Sequence, residues 1–238
     1  EHIKHQDYIG EDFLLLFEMN STRTRCAFET SANDLGMGTT FLSNSHFGNT
    51  ETIKDSMRVF SEMYSAIGYR GAKHSTLLEM AKDSTIPIIN GYTDHQHPTQ
   101  MLADAMTLDE VWGRENYKGK TLCFIGRGGA VNSFSYGVMC AMLGMNFTYI
   151  TSYMEMDEAL EGLTAAEKAT FRKFVPEGVV SPNWDTKMDA RKRKIVEELF
   201  AKYSPECKFI ETDDINAIKG VDVITTENWG FFTDPVET

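Results

Sequence analysis

Two kinds of run alternate along the chain: short apolar blocks and longer stretches with apolar residues at helical spacing. "DFLLLFE" is continuous and apolar, the signature of a strand buried on both faces. "TRCAFETSANDLG" follows, with Phe28, Ala32 and Leu35 at helical spacing before Gly36. The same order then recurs. "TTFLS", "AIGYRG" and "IPIING" read as strands, while "TETIKDSMRVFSEMYS" and "HSTLLEMAKDS" read as the helices between them. A longer helix, about Pro98 to Trp112, places Met101, Leu102, Ala105, Leu108 and Trp112 on one side. After the polar, glycine-containing "GRENYKGK" the alternation resumes: "TLCFIG", "NFTYIT", "KFIET" and "DVITTEN" read as strands, "AVNSFSYGVMCAMLG" as a buried helix and "DDINAIKG" as a short one. The segment from Met154 to Ala190 is charged and weakly periodic, and reads as helices and loop on the surface. Strand and helix in regular alternation predict an α/β protein of two doubly wound domains, each a mostly parallel central sheet flanked by helices. The boundary is expected after the long helix, giving domains 1–114 and 115–238.

Composition narrows the function classes. The chain of 238 residues is 42% hydrophobic and 24% charged, enough to bury a sizeable core. Its formal net charge of −12 argues against a nucleic-acid partner, because phosphate backbones are held by clustered Lys and Arg. The one dense basic run, Arg191 to Lys194, continues into "IVEELF" and reads as a solvated helix face. Cys26, Cys123, Cys140 and Cys207 form no close pair, and three of them sit in apolar segments. Reduced thiols, no disulfide, no metal site and a cytoplasmic location are expected from that usage. No apolar run reaches the roughly 18 residues needed to span a bilayer, and "EHIKHQDYIG" lacks the apolar region of a signal peptide.

Chemistry enters at "FEMNSTRTRCAFE", where the first strand hands over to its helix. Ser21 fits the N-cap, its hydroxyl accepting from a backbone N–H two or three residues on and leaving other first-turn N–H groups to an anion. Arg23 and Thr24 add a positive charge and a further donor at a helix end that already carries partial positive charge. Arg23 and Arg25 stand about 200° apart around the helix, so both cannot face one small ligand. Arg23 is assigned to the ligand and Arg25 to a structural ion pair.

"STRTR" after an apolar strand, "ETIKDSMRV", "YRG" at Tyr69 to Gly71 and "HPTQMLAD" at His97 to Asp104 together resemble the aspartate/ornithine carbamoyltransferase family, the first half being most similar to ornithine carbamoyltransferase. The resemblance implies a homotrimer whose first domain binds carbamoyl phosphate and whose second binds a small amine, without a cofactor and without nucleic acid or membrane partners. Carried over by position, Ser21, Thr22, Arg23 and Thr24 would grip the phosphate, and Arg70, His97 and Gln100 would meet the carbamoyl group. A lid residue from a neighbouring subunit would fall near His46. The chemistry suits these residues: amine attack builds negative charge on the carbonyl oxygen, and Arg70, Thr24 and His97 can stabilise it. Pro98 suits a first helical position, which puts His97 at a helix N-terminus, where the positive dipole end favours the neutral imidazole. His95 reads as a solvent-facing or supporting residue.

The second half departs from the ornithine pattern. "GRGGAVNS" is shorter than the family's glycine-rich turn; Gly129 falls at the family's amine-contacting position, leaving Asn132 and Arg127 as candidate amine contacts. In "ENWGFF", Glu227 stands where the family's aspartate would hold the side-chain amine, and the aromatics Trp229, Phe231 and Phe232 either shape the amine pocket or pack on the sheet. The family's His-Cys-Leu-Pro loop, its last helix and an N-terminal helix have no counterpart, so a C-terminally truncated second domain is expected. Ornithine is the default acceptor. Putrescine or an acylated ornithine remains open, as does a non-catalytic anion-binding relative. A dinucleotide site at "FIGRGG" is disfavoured, because Val131 occupies the third glycine position and "NFTYITS" ends without an acid.

Overall fold

The computed structural model describes residues 5–43, 45–114, 116–126, 131–151, 164 and 187–227. The chain forms two compact units, residues 1–99 and 100–238. In the first unit β1 (Asp12–Phe17), β2 (Gly38–Leu42), β3 (Ala66–Arg70) and β4 (Ile88–Tyr92) form a wholly parallel sheet in the order β2-β1-β3-β4. Helices α1 (Thr22–Asp34), α2 (Ile53–Met63) and α3 (His74–Asp83) make the crossovers between successive strands. In the second unit β5 (Thr121–Ile125), β6 (Asn146–Ile150), β7 (Phe209–Thr212) and β8 (Val223–Thr226) pair in parallel in the order β7-β6-β5-β8. Helices α5 (Val131–Leu143) and α6 (Ala190–Tyr203) belong to it, together with α4 (Pro98–Trp112), which begins two residues before the division between the units.

Alternation of side chains along β1 builds the first core on both faces of the sheet. Leu14 and Leu16 point to one side and pack with Met57, Ile67, Tyr69 and Met80. Phe13, Leu15 and Phe17 point to the other and pack with Phe28 and Ala32 of α1 and Phe41 of β2. α1 ends where Gly36 takes φ +86°, a left-handed conformation natural to glycine, and a side chain there would press on Ile9 and the backbone of Gln6. In the second unit Leu122, Phe124, Phe147 and Tyr149 meet Phe134 and Met139 of α5, with Val196 and Phe200 of α6.

Several details differ from the sequence pattern. Met101 and Leu108 of α4 are buried in the second unit's core, whereas Leu102 is 66% exposed: it lies about 100° around the helix from Met101 and leaves the buried stripe. The basic run does form a helix, capped by Asp189, yet Arg193 is not merely solvated. It bonds Glu197 at 2.9 Å and also reaches Glu211 of β7 at 2.5 Å, whose side chain is buried and therefore needs a cationic partner. "DDINAIKG" makes only a four-residue 3-10 turn, Ile215–Ile218. Cys123 and Cys140 are buried thiols, while Cys26 is exposed on α1. The segment from Met154 to Ala190 lies almost wholly outside the described residues. Among the described residues no helix is long and apolar enough to cross a membrane.

Candidate functional site

Strand order determines where ligands can sit. β1 is flanked by β2 on one side and β3 on the other, so the crossovers leave it in opposite directions; this is a topological switch point, where open α/β sheets bind ligands in the crevice beyond the carboxyl ends of the strands. The motif residues of the first unit converge there. Ser21 is the N-cap of α1, with extended backbone (φ −160°, ψ 121°), and its hydroxyl accepts from the Thr24 N–H at 3.3 Å. Thr22 opens the helix and Arg23 is exposed on its first turn. Thr24 leans toward β4: a Cβ added at Gly91 would lie 3.6 Å from its methyl and 3.1 Å from both Phe28 and the Tyr69 carbonyl, so the close approach of α1 to β4 requires glycine. Arg25 faces elsewhere, bonding Glu29 at 3.0 Å with its guanidinium 3.6 Å from the Phe41 ring centre. This is the structural ion pair anticipated from the helix pitch.

Arg70 closes β3, in register with Phe17 of β1. Its guanidinium lies over the Tyr92 ring, 4.6 Å from the centroid, and its Nε is buried without a hydrogen-bond partner among the described residues. Burial pushes its pKa down, and the nearby positive charge of Arg23 pushes further the same way. Arg23 on the first turn of α1 and Arg70 at the end of β3 both lie past the carboxyl ends of their strands, and cations placed there favour an anion. The backbone around them is tied firmly: Glu18 N–H donates to the Arg70 carbonyl at 2.9 Å, Gly71 N–H to the Tyr92 carbonyl at 3.1 Å, and the buried Tyr69 hydroxyl donates to the Glu18 carboxylate. Any side chain at Gly71 would strike that Tyr69 hydroxyl.

His97 precedes α4 and meets the edge of the Tyr92 ring at 5.3 Å, so Tyr92 touches Arg70 and His97 at once. Its Nδ1 lies 3.3 Å from the Thr99 hydroxyl. Burial first, and the Arg70 charge second, lower its pKa to about 4. Its neutral form is therefore held mainly by desolvation and a neighbouring guanidinium, where the sequence suggested a helix dipole. On acidification the unfolded chain takes up this proton near pH 6.5, while the folded protein resists until about pH 4. Stability should therefore fall as the pH drops through that window. An NMR titration of the His97 ring should show its midpoint near pH 4; a midpoint above 6 would contradict the assignment. The His95 ring lies tilted against His74, 4.8 Å between centres, and His46 is exposed beside Glu51.

The second unit repeats the arrangement. β5 is flanked by β6 and β8, which makes the carboxyl ends of β5 and β8 a second switch point. Asn132 in the first turn of α5 donates its Nδ2 to Glu227, just past β8, at 2.8 Å, while its Oδ1 is buried without a partner among the described residues. The two residues picked from sequence as amine contacts are thus brought together. Arg127, Gly129, Trp229, Phe231 and Phe232 lie outside the described residues. Gln100 is exposed on the first turn of α4 and donates to Asp104 at 3.0 Å. Sequence patterns did not single out Tyr92 or Glu18, since only the pairing of β1, β3 and β4 makes them neighbours of Arg70.

Residues 1–110 match the family model described as "Aspartate/ornithine carbamoyltransferase, carbamoyl-P binding domain". The catabolic ornithine carbamoyltransferase of Mycoplasma pneumoniae is 35% identical over 232 residues, covering 96% of this chain and 59% of that protein. Over residues 1–110 the chain carries the carbamoyl-phosphate-binding domain of the aspartate/ornithine carbamoyltransferase family. The ornithine carbamoyltransferase of Lactiplantibacillus plantarum is 45% identical over 147 residues, 61% of this chain and 43% of its own length. Among solved structures, ornithine carbamoyltransferase from Pyrococcus furiosus superposes with a TM-score of 0.75 at 29% identity, covering 94% of this chain and 61% of that one. The chain thus spans from 41% to 60% of the length of the curated relatives it matches. Its two parallel four-stranded sheets with flanking helices are the two-domain α/β fold of these carbamoyltransferases.

Proposed function

We propose that the protein transfers the carbamoyl group of carbamoyl phosphate to the side-chain amine of ornithine, releasing phosphate and forming citrulline. The observation that carries this reading is the gathering of Arg23, Arg70, a neutral His97 and the capped first turn of α1 at the crevice beyond β1 and β3. In this reading residues 1–114 form the carbamoyl-phosphate-binding domain. Ser21, Thr22, Arg23 and Thr24 hold the phosphate through first-turn N–H groups, hydroxyls and one guanidinium. Arg70, His97 and Thr24 donate to the carbonyl oxygen, and Gln100 meets the carbamoyl amide. Residues 115–238 form the amine domain, in which Asn132 and Glu227 hold the acceptor.

The amine nitrogen attacks the carbamoyl carbon with its lone pair and the carbonyl electrons move onto oxygen, which accepts from Arg70, His97 and Thr24 in this reading. The tetrahedral species collapses by breaking the bond from carbon to the phosphate oxygen, whose electrons leave with phosphate, and the nitrogen loses a proton. Donors oriented beforehand at the developing oxyanion lower such a barrier by several kcal/mol. A neutral His97 donates a hydrogen bond without giving up a full proton. We further propose a homotrimer acting in the cytoplasm.

Assay of the full chain with carbamoyl phosphate and a panel of ornithine, putrescine and N-acetylornithine tests the reading. Citrulline formation with ornithine is expected, with the other amines at least tenfold slower. Faster turnover of putrescine or N-acetylornithine would reassign the acceptor. Carbamoyl phosphate binding without turnover of any amine would leave a non-catalytic anion-binding relative.

A further inference from the structure

We infer that Asp104 and Tyr136 are positioning residues that orient the Gln100 amide and join it to the strand bearing Glu227; the inference rests on the carbamoyl-contacting role proposed for Gln100. Asp104 stands one helical turn after Gln100 on α4 and receives two donors. Gln100 Nε2 donates to Asp104 Oδ1 at 3.0 Å, and the Tyr136 hydroxyl donates to Asp104 Oδ2 at 2.6 Å. A carboxylate can only accept, so the Gln100 NH₂ must face Asp104 and its carbonyl oxygen must face away. That is the orientation in which Gln100 accepts from a carbamoyl NH₂. With the opposite flip the amide would present NH₂ to NH₂.

Direction along the rest of the chain of bonds follows by elimination. Tyr136 has one hydroxyl proton, which it gives to Asp104, so at the 3.0 Å contact with Thr225 the threonine must donate. Tyr136 is buried, and burial together with the Asp104 bond pushes its pKa up, which keeps it a neutral donor. Its ring lies against Phe124 of β5 at 5.4 Å, which fixes the hydroxyl's place. Thr225 sits on β8 two residues before Glu227, and Tyr136 sits on α5 one turn after Asn132. One line of bonds, Thr225 to Tyr136 to Asp104 with Gln100 entering from the other side, therefore ties the helix turn that faces the carbamoyl group to the strand and helix that hold the amine contacts.

Calorimetric binding to the full chain, with inorganic phosphate and carbamoyl phosphate as probes, separates positioning from general support. For Asp104→Asn and Tyr136→Phe, carbamoyl phosphate should bind roughly five- to tenfold more weakly, the loss expected for a hydrogen bond, while phosphate affinity stays within about twofold. The double variant Gln100→Ala/Asp104→Asn should bind carbamoyl phosphate no more weakly than Gln100→Ala alone, because Asp104 acts through Gln100. Equal weakening of both probes, or additive losses in the double variant, overturns the inference. Failure of the unaltered chain to bind carbamoyl phosphate more tightly than phosphate overturns the functional reading and the inference with it.

Discussion

Replacing Arg70 with alanine should lower kcat/KM for carbamoyl phosphate by about two to three orders of magnitude, the loss seen when a donor aimed at a developing oxyanion is removed. The expectation rests on three features. Arg70 is presented at the end of β3 by its register with Phe17, its guanidinium carbon lies 4.6 Å from the Tyr92 ring centre, and its buried Nε makes no hydrogen bond within the described protein. A group held this firmly pays little further ordering entropy when the transition state forms. Arg70→Lys should recover only a minor part, because an ammonium keeps the charge but loses the planar fork and its stacking on Tyr92. The same alanine variant should raise the His97 pKa above about 4, since it removes the second of the two causes that depress it. Steady-state kinetics with a parallel histidine titration checks both effects. A variant retaining activity within threefold would place the oxyanion elsewhere.

Phe124→Ala should be the most destabilising single truncation of the second unit, costing about 3 to 5 kcal/mol. Phe124 is fully buried on the central strand β5, with its ring centre 5.4 Å from Tyr136 and 5.8 Å from Tyr149. Its removal strips the transfer energy of a large ring and leaves a cavity lined by two aromatics that are themselves fixed by the sheet and α5. Against a typical domain stability of about 5 to 15 kcal/mol the loss is severe. Leu102→Ala supplies the comparison, since Leu102 is 66% exposed and should change stability by no more than about 0.5 kcal/mol. Urea unfolding of both variants gives the test, and a Phe124→Ala loss below about 1 kcal/mol would mean that the second core is not organised around β5.

The order of strands and helices was legible because a buried parallel strand leaves a short unbroken apolar run and a flanking helix leaves a period near 3.6. β1 and α1 show both signals at full strength: Phe13 to Phe17 are all buried, and Phe28 and Ala32 return to the same face. The residues proposed to hold phosphate could be picked out for a related reason. A cap, a guanidinium and a hydroxyl at the start of one helix are local in sequence, and helix pitch alone separates Arg23 from Arg25. Tyr92 and the bonds of Tyr136 to Asp104 and Thr225 were not legible, because those partners lie 32 and 89 residues from Tyr136 and meet it only through strand pairing and helix packing.

Sequence by itself determined the succession of the described elements and the residues offered at the first turn of α1, since each depends on residues within one or two helical turns of each other, and the family resemblance came from four such short motifs in order. Tertiary structure decided which of those residues meet. The order β2-β1-β3-β4 sets Arg70 beside Tyr92, and burial there, with the Arg70 charge, keeps His97 neutral; the order β7-β6-β5-β8 brings Asn132 to Glu227. Crossover direction and desolvation are properties of the assembled sheets, and no local pattern of residues encodes either one.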